Sequence, residues 1–195
     1  MEAIKKLDGE FSFKKLEIAA NGARMFAHIE GKREIDIGGK DTVRPTLILI
    51  NSMDGSTRFG FKVGAFRLVC SNGMIAGMAM MNILIRHTSG VDFEAILNSG
   101  HKALENLEKV SIPRWRRMKD TPVKPEYAIK LLQNKKLGIP DRLNNRILEL
   151  TKETDMITLW ALYNHYTYHL THEYRGSEER RLFISSAVER VLGNL

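Results

Sequence analysis

The segment PRWRRMKD, Pro113 to Asp120, sets Arg114, Arg116, Arg117 and Lys119 around Trp115. Guanidinium groups bind phosphate through planar, often bidentate hydrogen bonds, and an exposed indole gives an unstacked base a platform worth roughly 1–3 kcal/mol. That combination suits a nucleic-acid single strand. The same residues also fit a linker whose tryptophan anchors in the core while its arginines stay solvated, and the sequence leaves both readings open. Lys124, Lys130, Lys135 and Lys136 extend the basic surface if their helix faces the same way. Arg58, Lys62 and Arg67 add to it from the outer face of a sheet, where edge-strand solubility explains them equally well.

Two other groups invite a chemical reading. His165, His169 and His172 recur at spacings of four and three, which puts them on one side of a helix. Three ligands from one helix seldom converge on one ion, and zinc needs three or four in tetrahedral array, so a metal here requires a ligand from elsewhere. No metal, cofactor or catalytic residue is assigned. The single cysteine, Cys70, follows Arg67 in FRLVCSNGM. A nucleophile needs a depressed pKa and a positioned base, and only Arg67 is local, so Cys70 reads as the buried end of a strand. Walker loops, dinucleotide glycine fingerprints, HEXXH helices and nucleophile elbows are absent from the sequence.

The charge pattern agrees with a polyanion partner. The 195 residues carry a formal net charge of +7, and residues 111–146 hold ten Lys/Arg against three acids. An excess concentrated in this way attracts nucleic acid. With 43% hydrophobic and 27% charged residues, the chain has an ordinary globular composition. MEAIKKLDGE offers no apolar signal region and no run approaches the length of a membrane span, so the expected location is the cytoplasm, without membrane contact. One cysteine cannot close an internal disulfide, which fits a reducing compartment.

The elements that must position these residues change character midway. LEIAANGARMFAHI alternates apolar and polar residues on either side of Asn21-Gly22, predicting a hairpin with a two-residue turn. EIDI (Glu34–Ile37) makes a short strand, and LILI (Leu47–Ile50) one buried on both faces. In the next strand the apolar residues switch from odd positions (Phe59, Phe61, Val63) to even ones (Phe66, Leu68, Cys70) at Gly64, which predicts a bulge or bend there. Ser71-Asn72-Gly73 reads as a turn and Met80–His87 as a further strand. Helical spacing takes over from Phe93, with Asp92 as cap. A proline-punctuated connector follows, then helices over Tyr127–Asn134, Asp141–Lys152, Thr158–Glu173 and Ser177–Leu192. Strands first and helices after predict an α+β fold with a largely antiparallel sheet. Residues 1–110 form the sheet region with the first helix, and 111–195 the basic linker and helical region, within one compact domain.

Two segments together resemble a known family. NSMDGSTRFGFKVGAFRLVCSNGM (Asn51–Met74) and TLWALYNHYTYHLTHEYRGSEERRL (Thr158–Leu182) are similar in content and order to the phage- and plasmid-related family catalogued as domain of unknown function 932. The resemblance rests on Gly55, Arg67, Cys70, Ser71, Asn72, Gly73, Trp160, Asn164 and Thr167, and covers the chain from about Asn51 onward. It implies a product of a prophage or mobile element, in the company of replication and recombination functions, and no settled activity. The expected function is therefore single-stranded DNA binding or strand annealing by a homo-oligomer, using Arg114, Trp115, Arg116, Arg117 and Lys119. The alternatives are a metal-dependent nuclease or DNA-modifying enzyme, and a host-protein-binding anti-defence factor.

Overall fold

Alternation of apolar and polar side chains draws the first part of the chain into strands, which a computed structural model describes together with the helices over residues 11–39, 41–56, 58–67, 72–75, 93–133 and 137–195. Strand β1 (Phe11–Ala19) pairs with β2 (Arg24–Gly31), as the hairpin pattern predicts. The turn is wider than two residues, because Ala19 pairs with Arg24 and Ala20, Asn21 and Gly22 all take positive φ. Strand β4 (Asp41–Ser52) is the spine of the sheet. It takes β2 and β3 (Ile35–Gly38) along one edge and β5 (Gly60–Arg67) along the other, and β6 (Asn72–Ile75) pairs outside β5. Every pairing is antiparallel.

Two local expectations are corrected in β5 and β6. The register of β5 against β4 runs unbroken from Gly60 opposite Ile50 to Arg67 opposite Val43, so Gly64 marks no bulge. The phase switch needs none, because helical residues pack against both faces of the sheet and each face accepts apolar residues. Asn72 and Gly73 pair with Arg67 and Phe66 inside β6 and are not turn residues. Cys70 and the Met80–His87 strand lie outside the described residues.

Helix α1 (Phe93–Asn106) follows the predicted spacing and passes through a π-helical turn (Leu107–Ser111) into α2 (Ile112–Asp120). The expected linker is thus a helix. Pro113 is tolerated because it directly follows the π-helical turn, where the i→i−4 ladder is already interrupted and its missing N–H breaks no regular helical bond. A small ladder of β7 (Pro122–Val123) with β8 (Ile157–Thr158) brackets α3 (Pro125–Leu132) and α4 (Asp141–Thr151). Helices α5 (Leu159–His172) and α6 (Glu178–Leu192) complete an α+β fold. Thr158 and Ser177 cap these last two, their hydroxyls accepting from the N–H of Ala161 and Arg180.

One apolar cluster joins Val43, Leu47, Phe61 and Val63 of the sheet to Trp115, Ile147, Trp160, Tyr163, Tyr166 and Val188 of the helices. A smaller one, Phe26, Ile48, Ile50 and Leu182, lies on the opposite sheet face. LILI is accordingly buried from both sides. Among the described residues no helix is long and apolar enough to cross a membrane.

Candidate anion-binding cleft

The basic residues singled out in PRWRRMKD do not gather on one surface. Trp115 is fully enclosed, its Nε1 donating to Glu189 Oε1 at 3.3 Å and its ring 5.8 Å from that of Trp160. Arg114, also buried, reaches the same carboxylate at 3.5 Å. Arg117 donates to the Gly193 carbonyl at 2.9 Å, and Arg116 donates twice to the Asp36 carbonyl, at 3.1 and 2.7 Å. Lys119 donates to the Gly38 carbonyl. A helical period of 3.6 residues separates these side chains around α2, sending Arg114 and Arg117 to the end of α6 and Arg116 and Lys119 to β3. The role of Trp115 as a stacking platform is therefore corrected: the indole is a core residue.

The remaining predicted contacts are scattered. Arg58 and Lys124 are exposed. Lys62 is half-buried on β5, where desolvation lowers its ammonium pKa against the opposing pull of Glu179. Arg67 ends β5, paired with Val43 and Asn72.

A different set of arginines does converge. Helix α4 buries Leu143, Asn144, Ile147 and Thr151 and leaves Arg142 and Arg146, one turn apart, on its exposed side. Its position against α5 is fixed by Tyr166, whose hydroxyl donates to Asn144 Oδ1 at 2.7 Å in the interior. Burial raises the Tyr166 pKa, so the phenol stays a neutral donor. Beyond α5 the chain turns through Glu173, Tyr174, Arg175 and Gly176, with the N–H groups of Glu173 and Tyr174 both donating to the His169 carbonyl. Between α4, the end of α5 and this turn opens a cleft of about 650 Å³, lined by Pro140, Arg142, Leu143, Arg146, His169, Glu173, Tyr174, Arg175 and Gly176.

The electrostatics of the cleft are one-sided. Arg142, Arg146 and Arg175 make no hydrogen bond or ion pair with any described residue, whereas Arg24, Arg33, Arg44, Arg114, Arg180 and Arg181 each pair with a carboxylate or carbonyl. The one carboxylate in the wall, Glu173, lies 2.7 Å from Nδ1 of the buried His169. The first turn of α4 also borders the cleft, and the positive end of a helix dipole favours an anion. Three exposed guanidinium forks that make no hydrogen bond or ion pair with a described residue have the chemistry to take up phosphate or carboxylate oxygens. The sequence signal for it was the basic excess of residues 111–146, which contains Arg142 and Arg146; Arg175 has no such signal, since only the fold brings it near.

The histidines of α5 do not form a metal site among the described residues. His165 is held below its ordinary pKa by burial and by His169, and His172 lies against the Tyr168 ring at 4.7 Å. The described group of His and carboxylate side chains whose ligand atoms lie within 4.8 Å of one another is Glu17, His28 and Glu178. His28 Nε2 is 3.5 Å from Glu178 Oε1, and burial lowers the imidazole to about 4. Arg181 pairs with both carboxylates, at 3.3 Å from Glu17, and Lys15 pairs with Glu17 at 3.0 Å. Those two cations already balance the two carboxylates, so the group is an ion-pair network tying α6 to the β1–β2 hairpin.

Residues 1–190 match the profile described as "Domain of unknown function (DUF932)". The chain belongs to the DUF932 family. This chain is similar to the UPF0380 protein YfjQ of Escherichia coli (strain K12), 31% identical over 83 residues. It is similarly related to the UPF0380 protein YafZ of the same strain, 30% identical over 83 residues. Each match covers 43% of this chain and 29% of the relative, so the DUF932 chain is aligned with less than a third of either protein. No solved structure matches it.

Proposed function

We propose that this DUF932 chain is a binding module for single-stranded nucleic acid, serving replication or recombination of a phage or mobile element, with Arg142, Arg146 and Arg175 as its phosphate contacts. One observation carries the reading: three exposed arginines that make no hydrogen bond or ion pair with any described residue share one cleft, while those of the basic segment on α2 are bonded to the protein itself. An arginine held by a backbone carbonyl is fixed in place with part of its donor set spent, whereas one without such a bond can turn all five N–H groups to a phosphate. Several copies assembled along a strand would join separate clefts into a track.

Electrophoretic shift and fluorescence polarisation with single-stranded oligonucleotides test the proposal. Neutralising three phosphates on a single strand gives a slope near −2 in log affinity against log salt, at about −0.7 per phosphate. Replacing Arg142 and Arg146 together with alanine should weaken binding and flatten that slope. A salt-independent affinity, or one unchanged in the double variant, removes the cleft from the interface.

A further inference from the structure

We infer that the cleft seats a nucleotide bearing a phosphomonoester, either free or as the phosphorylated end of a strand, an inference that rests on reading the cleft as a phosphate site. Charge is the first reason. Three exposed guanidinium groups that make no hydrogen bond or ion pair with any described residue line the cleft with a single wall carboxylate, Glu173, which is itself within 2.7 Å of His169; Glu149, outside the lining, interacts with Arg146 only at longer range. A phosphomonoester brings a charge of about −1.5 to −2 and three strong acceptor oxygens at neutral pH, whereas a phosphate within a strand brings a single charge. The surplus in the cleft matches the first.

Size and the apolar part of the lining give the other reasons. At about 650 Å³ the cleft falls within the roughly 300–1,000 Å³ range of small-ligand sites, dimensions that enclose one nucleotide and leave the neighbouring phosphates of a strand at its rim. Leu143 and Tyr174 line the same cleft. Tyr174 lies directly on the backbone of Gly176, where an added Cβ would fall 2.2 Å from the ring, so the glycine lets the aromatic wall settle there. A tyrosine ring offers a sequence-tolerant stacking surface for a base, and the neighbouring leucine a dry contact for the sugar.

The experiment compares one short oligonucleotide with a 5′-phosphate, with a 3′-phosphate and with hydroxyl at both ends, on the full chain by fluorescence polarisation, with AMP as competitor. The inference expects a phosphorylated end to bind about tenfold tighter than the hydroxyl form, or AMP to displace the strand, according to whether the ligand is a strand end or a free nucleotide. Arg142→Ala with Arg146→Ala should abolish that preference; if this variant does not fold, Arg146→Gln alone should reduce it. Tyr174→Ala should weaken AMP more than inorganic phosphate. Equal binding of all three oligonucleotides with no competition by AMP, but with the steep salt dependence retained, overturns the inference while the nucleic-acid reading stands. Absence of any oligonucleotide binding, with AMP bound, upholds the free-nucleotide form and overturns the strand-binding reading; if neither binds, both fall.

Discussion

Nε1 of Trp115 donates to Oε1 of Glu189 at 3.3 Å, and neither residue has exposed surface. Arg114 approaches the same carboxylate at 3.5 Å from a side chain that is 9% exposed. One buried acid thus answers both the indole and the guanidinium, fastening α2 to α6. Removing one member of a buried pair leaves the other charge uncompensated, at a cost of about 3–5 kcal/mol. Glu189→Ala should lose about that much in urea denaturation, and Glu189→Gln, which keeps an acceptor for the indole, distinctly less. Equal losses for both substitutions would mean that the charge alone carries the contribution, and that the volume and acceptor kept by glutamine add nothing.

Tyr166 and Asn144 make the corresponding polar tie between α5 and α4, with Asn144 wholly shielded from water. Tyr166→Phe deletes the donor and strands the Asn144 carbonyl oxygen in the interior, a loss of about 1–3 kcal/mol. Thermal unfolding should show the lower melting temperature. Because this bond sets the position of Arg142 and Arg146, oligonucleotide affinity should fall in the same variant even under conditions where it is fully folded. Affinity unchanged at full folding would separate the tie from the cleft.

His28 makes stability depend on pH. Burial, helped by Lys15 and Arg181 and opposed by Glu17, lowers its folded-state pKa from 6.5 to about 4. The unfolded chain therefore takes up a proton near pH 6.5, and the folded chain only near pH 4. Between those values the unfolded state holds more protons, so the contribution is whole above pH 6.5 and is lost as pH falls towards 4, by at most about 3 kcal/mol. Measured against His28→Gln in denaturant titrations, the advantage of the parent protein should shrink steadily through that window. A gap that stays constant with pH would show His28 to be solvated or already charged.

The fold was legible where one period dominated. Alternation about Asn21-Gly22 and the helical spacing of Leu143, Ile147 and Thr151 are local patterns, and both elements form where those patterns place them. Pro113 misled because proline breaks a regular α-helix but is accommodated beside a π-helical turn, where the regular hydrogen-bond ladder is already interrupted. Gly64 misled because a change of apolar face suggests a bulge only when one face of the sheet is wet. The cleft was half legible: Arg142 and Arg146 lie within the basic segment, but nothing local distinguishes an arginine that bonds a distant carbonyl, such as Arg116 to Asp36, from one left unpartnered. Arg175 reaches them only through the turn after α5, which depends on where that helix ends.

That difference between Arg116 and Arg146 gives a direct test of which basic surface acts. Arg116 spends Nε and Nη2 on the Asp36 carbonyl at the edge of β3, in an exposed setting where such bonds contribute modestly to stability. Arg146 has no such bond and borders the cleft. Arg116→Ala should therefore lower stability by about 1 kcal/mol or less and leave oligonucleotide affinity near that of the parent. Arg146→Ala should do the reverse, with unchanged unfolding and a salt slope shallower by about 0.7, the share of one phosphate. Both variants read in the same polarisation assay decide the matter: if Arg116→Ala loses the affinity and Arg146→Ala keeps it, the strand runs along α2 and not through the cleft.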